Sequence, residues 1–129
     1  IPLRNLYVNT RAENYDDYEG TVINECKEGG HSVQMKTGSW IMFSDVDISR
    51  GFQSIEVRAA NQSKKAVINI YLGHPEGEKI GQLVVKNTGG SQSWHTVTGP
   101  VTLPENAVNT KIYFVSNGEI LISYFRFIA

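Results

Sequence analysis

The chain is 129 residues long, an ordinary single-domain length, and its 12 Lys and Arg against 13 Asp and Glu leave a formal net charge of −1. No basic run exceeds the Lys64-Lys65 pair, which argues against nucleic-acid or anionic-membrane binding and favours neutral ligands. Ile and Val number 24 against 12 Leu and Ala, and 12 Gly accompany 2 Trp, 6 Tyr and 5 Phe, a bias that disfavours a helical bundle. The single cysteine, Cys26, excludes an internal disulfide, a zinc framework and a CxxC redox pair, so stability must come from the core. No unbroken apolar run is longer than Trp40 to Phe43, far short of the ~20 residues of a spanning helix, and Ile1-Pro2-Leu3-Arg4 does not read as a signal peptide.

In chain order, Leu6, Val8 and Ala12 are expected beside the terminal strand. Trp40 begins a strand whose exit spans Ser44 to Gly51. From Phe52 to Asn61, Ile55, Val57 and Ala59 alternate with Glu56, Arg58 and Ala60, the period of a strand with one buried face. Ile68, Ile70 and Leu72 then alternate with Val67, Asn69 and Tyr71, and residues 73–77 turn the chain. Ile80 with Gln82 to Val85, and Trp94 to Val101, read as two more strands, with Pro100 and Pro104 marking a sheet edge. The C-terminal strand is expected to place Leu121, Ser123, Phe125 and Phe127 on one face and Ile120, Ile122, Tyr124, Arg126 and Ile128 on the other. Without repeat, low-complexity tract or linker, the whole chain, residues 1–129, reads as one all-β domain of about ten strands, a sandwich or barrel.

Glycoside hydrolysis needs two acids, for which Asp16 with Asp17, Glu25 with Glu28, Asp45 with Asp47 and Glu76 with Glu78 are the candidate pairs. Asp45 and Asp47 fall at a strand exit, and Glu76 and Glu78 flank a Pro-Glu-Gly turn that reads as a solvated tip. His31, His74 and His95 have no GxSxG, HExxH or second histidine at metal spacing beside them. Asn61-Gln62-Ser63 matches the glycosylation sequon, a pattern short enough to arise by chance. Trp40 and Trp94 carry more, because both lie at loop–strand junctions where a ring can stay partly exposed. Flat rings stack on the C–H faces of sugars while nearby amides and carboxylates bond the hydroxyls; composition alone leaves a core role open for each ring.

The order of motifs is more specific. Arg11-Ala12-Glu13-Asn14-Tyr15-Asp16, Gly38-Ser39-Trp40-Ile41, Ile55-Glu56-Val57-Arg58-Ala59-Ala60, Ile80-Gly81-Gln82-Leu83, Thr88-Gly89-Gly90, Trp94-His95-Thr96-Val97 and Tyr124-Phe125-Arg126-Phe127 run in register over nearly the whole chain and resemble family 6 carbohydrate-binding modules. The resemblance implies a β-sandwich of jelly-roll topology in two antiparallel sheets, non-catalytic, and attached in cis to a secreted glycoside hydrolase. It implies Trp94 as stacking platform and Asn117 as hydroxyl partner, with Trp40 at a position some members use in a second cleft on the concave sheet face. The first aromatic of the usual pair is replaced by Gln34, which disfavours a two-sided grip on xylan or cellulose and points to β-1,3-glucan bound end-on. Gln34, Glu28 and His31 are further candidate contacts.

The family's structural calcium is expected to be lost, since of its acids only Glu13 matches while Arg11 and Ser123 stand at the others; Arg11 should pair with Glu13 or a neighbouring acid. The expectation is therefore a monomeric module that requires no cofactor and binds a neutral β-linked polysaccharide, with neither nucleic acid nor membrane as partner. The alternatives are a small jelly-roll glycoside hydrolase using Glu25 and Glu28, or a protein-binding adhesion sandwich.

Overall fold

The computed structural model describes residues 2–129 and contains eleven strands and one 3-10 turn, Ala12–Asn14. The strands are β1 (Thr10–Arg11), β2 (Asp17–Glu19), β3 (Val22–Glu25), β4 (His31–Met35), β5 (Trp40–Phe43) and β6 (Ser54–Ala60). They continue with β7 (Ala66–Leu72), β8 (Glu78–Val85), β9 (His95–Pro100), β10 (Ile112–Asn117) and β11 (Ile120–Ile128). A six-stranded sheet runs β3-β4-β11-β6-β9 with β1 paired to β11, and a five-stranded sheet runs β2-β5-β10-β7-β8. Every strand pair is antiparallel. The edge position of β9 agrees with the two prolines at its end, which need no ladder partner there.

The alternation read in residues 52–72 sets the core directly: Ile55, Val57 and Ala59 of β6 face Ile68 and Ile70 of β7 across the sandwich, all fully buried. A group of rings fills the remaining interior, with Phe43, Phe114, Phe125 and Phe127 in mutual contact and Phe52 stacked on Phe127 at 4.1 Å. Leu6 and Ala12 join this core, whereas Val8 lies on the surface.

The C-terminal strand departs from the expected faces. Its pairing with β6 shifts register between Ile122 and Tyr124, a bulge at Ser123. One extra residue exchanges the two faces: before it Ile120 and Ile122 point into the core, after it Phe125 and Phe127 do, and Leu121 is sent to the outer side. The sequon residue Asn61 is engaged inside the fold, as a chance match to the pattern allows. Asn61 is 1% exposed, its amide nitrogen donates to the carbonyls of Lys64 at 2.6 Å and Val85 at 3.1 Å, and its oxygen accepts from the Ser63 amide. Asn61 is thus a structural clasp with no free nitrogen for a glycan.

The edges of the two sheets meet where β8 approaches β9. Thr102 N–H donates to the Ile80 carbonyl at 2.8 Å, and Gly81 bridges Val101. A Cβ on Gly99 would stand 2.8 Å from the Gln82 carbonyl oxygen and 3.0 Å from Leu83, so the closure depends on a bare backbone here. Gly99→Ala is expected to destabilise the chain by about 1–3 kcal/mol through overpacking, read as a lower denaturant midpoint with an unchanged m value.

Candidate functional site

Two surfaces collect the candidate residues. The first is the outer face of the five-stranded sheet. Trp40 opens β5 and is paired with Glu19 of β2 on one side and Val115 of β10 on the other. Paired residues share a face, and because the next residues along, Ile41 and Phe114, are buried, these three point outward. The Trp40 indole N–H donates to Glu19 Oε2 at 3.0 Å, and the ring meets Tyr113 edge-on at 5.2 Å. Its plane is therefore fixed from two directions. The turn from β7 to β8 brings His74, Pro75 and Glu76 opposite this ring, enclosing a cleft of ≈ 400 Å³. That turn is held by the Glu76 N–H donating to His74 Nδ1 at 3.0 Å and the Gly77 N–H to the His74 carbonyl at 2.9 Å.

An aromatic wall with Glu19, Glu76 and an imidazole around it suits a neutral polyhydroxyl ligand: the ring packs on C–H groups while carboxylates accept from hydroxyls. Sequence reasoning gave Glu19 no role and took Glu76 for a solvated tip. Only the pairing of β2 with β5 brings Glu19 to Trp40, and only the bend of residues 73–77 brings Glu76 there.

The second surface lies on the outer side of the six-stranded sheet. Trp94, expected to be partly exposed, is 7% exposed and packs on Cys26, Ala60 and Leu121. The physical reason is the Ser123 bulge, which turns Leu121 outward next to the small Ala60 and so creates a seat for the ring. Its indole N–H donates to Gln92 Oε1 at 3.2 Å. Gln34 is paired with Leu121, is exposed, and accepts a hydrogen bond from Asn24 Nδ2 at 2.7 Å. With Asn61, Gln62 and Glu119 it borders a crevice of ≈ 10 Å³, room for about one water. Asn117, exposed, ends β10 just before the turn that leads through Glu119 into β11. Trp40 and Asn117 belong to the five-stranded sheet, Asn117 at the strand end that turns into β11, while Trp94 and Gln34 lie on the six-stranded side, so the candidates divide between two surfaces.

Glu28 and His31 are placed differently. Both carboxylate oxygens of Glu28 are taken by Arg58, at 3.0 Å to Nε and 2.6 Å to Nη2, and Arg58 also reaches Thr96 Oγ1 at 3.2 Å. The hydrogen bonds from Arg58 hold the Glu28 carboxyl below the usual carboxylate range. The general acid of glycoside hydrolysis needs the opposite shift, so Glu28 does not fit that role. At His31 it is the backbone carbonyl that is engaged, accepting from Arg11.

Arg11 organises this corner. Its Nη2 donates to the carbonyls of Gly29, at 3.0 Å, and His31, its Nε lies 3.4 Å from Glu13 Oε2, and its guanidinium stands 5.9 Å from the Tyr124 ring centroid. A Cβ on Gly30 would come within 2.8 Å of Nη2. Glu13 Oε1 is buried without a partner, and the buried Ser123 hydroxyl receives only a 3.7 Å contact from Cys26 Sγ. A guanidinium therefore holds the two carbonyls and the carboxylate that a calcium ion would need, and this residue set does not fit the ion.

The family described as carbohydrate binding module (family 6) matches residues 11–129. A β-1,3-glucan binding family 6 module from Bacillus halodurans is 33% identical, with 99% of this chain and 100% of that one covered and a TM-score of 0.89. A family 6 module from Clostridium stercorarium, solved with cellobiose, is 25% identical over 98% of this chain and 96% of that one, TM-score 0.89. Among curated proteins, endo-1,4-beta-xylanase A of Thermoclostridium stercorarium is 26% identical over 127 residues, 96% of this chain. The clotting factor G alpha subunit of Tachypleus tridentatus is 28% identical over 107 residues, 80% of this chain. The chain spans 19% and 16% of the lengths of those two relatives.

The packing of Trp94 generates its own test. Trp94→Ala empties a seat over Ala60 and Leu121 and is expected to lower stability by about 3 kcal/mol, whereas Trp94→Phe, which refills most of it, should cost less than half as much. Chemical denaturation of the two variants beside the parent chain measures the difference.

Proposed function

The chain belongs to family 6 of the carbohydrate-binding modules, and from that premise we propose that it binds a neutral β-linked polysaccharide, with β-1,3-glucan first and xylan or β-1,4-glucan after it. The observation that carries this reading is the open cleft at Trp40, in which a ring of fixed plane stands among Glu19, Glu76 and His74. The β-1,3-glucan choice is supported by the Bacillus halodurans module and by Gln34, which leaves Trp94 without a second ring across from it. The sheet-face cleft takes internal stretches of a long chain. Trp94, Asn117 and Gln34 take a chain end at the second surface. Glu28 and His31 border the corner tied by Arg11 and act on the ligand only indirectly.

The module itself makes and breaks no bond. Its use is to hold an attached glycoside hydrolase, outside the cell, near an insoluble substrate, which raises effective concentration without new chemistry. It works as a monomer, with neither nucleic acid nor membrane as partner. Leu3, Val8, Tyr18, Val22, Ile23, Val84 and Val108 are exposed, and the adhesion alternative would need such residues to form one contiguous patch. Arg11 serves as the resident cation of its corner, so no calcium is required.

Affinity electrophoresis in laminarin, lichenan, xylan, cellulose derivatives and agarose tests the function. Laminarin is expected to retard the chain most, and no new reducing ends should appear. Trp40→Ala should lose about thirtyfold in affinity for the long polymer, the scale of a truncated stacking ring, while Trp94→Ala should lose binding to short laminarioligosaccharides. Retardation by none of these glycans would overturn the reading. Separately, millimolar calcium or a chelator should leave the melting temperature of the parent chain unchanged; a rise of several degrees on adding calcium would show that the ion binds in spite of Arg11.

A further inference from the structure

Gln92 makes three contacts with one carboxamide. Its Oε1 accepts from the Trp94 indole N–H at 3.2 Å and from the Lys27 backbone N–H at 2.9 Å, while its Nε2 donates to the Glu25 carbonyl at 3.5 Å. Lys27 N–H and Glu25 C=O flank Cys26 at the end of β3, a free sheet edge. The carboxamide therefore sits where the next strand would pair, beside Cys26, which shares a buried cluster with Trp94.

The segment that carries Gln92 is itself held in place. Ser93 Oγ donates to the Thr88 carbonyl at 2.7 Å, and Thr88 N–H to the Asn61 carbonyl at 2.7 Å. An indole that is 7% exposed has little water available to its N–H. Without the Gln92 oxygen the N–H would be left unmet, and the ring would turn to reach solvent. We propose that Gln92 is the positioning residue of the Trp94 platform: its amide oxygen sets the plane of the ring that receives the end of a β-glucan chain. This inference rests on the assignment of Trp94 to the second binding surface.

A residue that only anchored the segment would act through the backbone of residues 25–27; one that orients the ring must act through the indole N–H. Gln92→Glu keeps the acceptor oxygen and Gln92→Ala removes it, while Trp94→Phe removes the donor. Laminarihexaose affinity is measured by calorimetry on the whole chain. The emission of Trp94 is followed in a Trp40→Phe background, where it is the only indole. Gln92→Ala should weaken laminarihexaose binding by about tenfold, of the order expected for a lost polar contact and a displaced ring, and should shift Trp94 emission to the red. Gln92→Glu should stay within about threefold of the parent, with emission unshifted, since the acceptor survives. In a Trp94→Phe background, Gln92→Ala should add no further loss of affinity.

Unchanged affinity in Gln92→Ala while Trp94→Ala abolishes binding would overturn this role and leave the platform standing. So would a Gln92→Glu variant as weak as Gln92→Ala, or a Gln92→Ala loss that persists in the Trp94→Phe background. Unchanged affinity in a folded Trp94→Ala variant would instead remove the platform, and this role with it.

Discussion

β11 has to satisfy two surfaces with one strand. It pairs with β1, β4 and β6 and carries four of the residues that close the core, Ile120, Ile122, Phe125 and Phe127. Strict alternation would leave either the two isoleucines or the two phenylalanines facing out. The bulge at Ser123 resolves this by exchanging faces once, and its cost, one unpaired ladder position, is small against burying two aromatic rings at roughly 1.5–3 kcal/mol each. The upstream half of the strand is then free to present Leu121 to the outside, which is where Trp94 finds its seat. The core and the second candidate surface are consequences of the same inserted residue.

Charge is organised around backbone geometry. Arg11 ties β1 to the turn between β3 and β4 through two carbonyls, and the bare Gly30 admits its guanidinium. Glu28 on the same turn is held from the other side by Arg58 of β6. Two arginines thus pin a turn that would otherwise hang from a sheet edge. The Glu28 carboxyl is held low by Arg58, so its contribution is complete above its unfolded-state titration and is lost as the pH falls through its folded one. Both partners are partly exposed, at 24% and 38%, which keeps the pair in the range of about 0–1 kcal/mol.

A binding module gains affinity by holding its aromatic groups in place before the ligand arrives, because ordering them afterwards subtracts from the interaction. Trp40 is fixed by Glu19 and Tyr113, and Trp94 by Gln92 and the packing beneath it. In each case a polar partner takes the indole N–H and an apolar neighbour supports the ring. The two surfaces differ in access: the cleft at Trp40 is ≈ 400 Å³, whereas the spaces lined by Gln34 are ≈ 140 Å³ and ≈ 10 Å³.

The sequence by itself determined what is local and periodic. The alternation of Ile55, Val57 and Ala59, the turn at residues 73–77 and the prolines at the end of β9 each carry their structural meaning within a few residues, since side chains in a strand alternate faces whatever they pair with. Motif order likewise made the family legible, and the resemblance, by setting Arg11 where the family has a calcium-binding acid, led to the expected pairing with Glu13 or a neighbouring acid, of which Glu13 is the one found. Only the tertiary structure decided what depends on residues far apart. The Ser123 bulge is set by the registry of β11 against β6, and the burial of Trp94 follows from that bulge. The cleft at Trp40 requires Glu19 of β2 and Glu76 of a distant turn to arrive beside β5. Asn61, whose sequence context is only a short sequon match, is an internal clasp because the carbonyl of Val85, 24 residues away, is brought against it. Periodicity states which way a side chain points along its own strand; what it meets there is fixed by pairing and packing across the sheet, which no local pattern encodes.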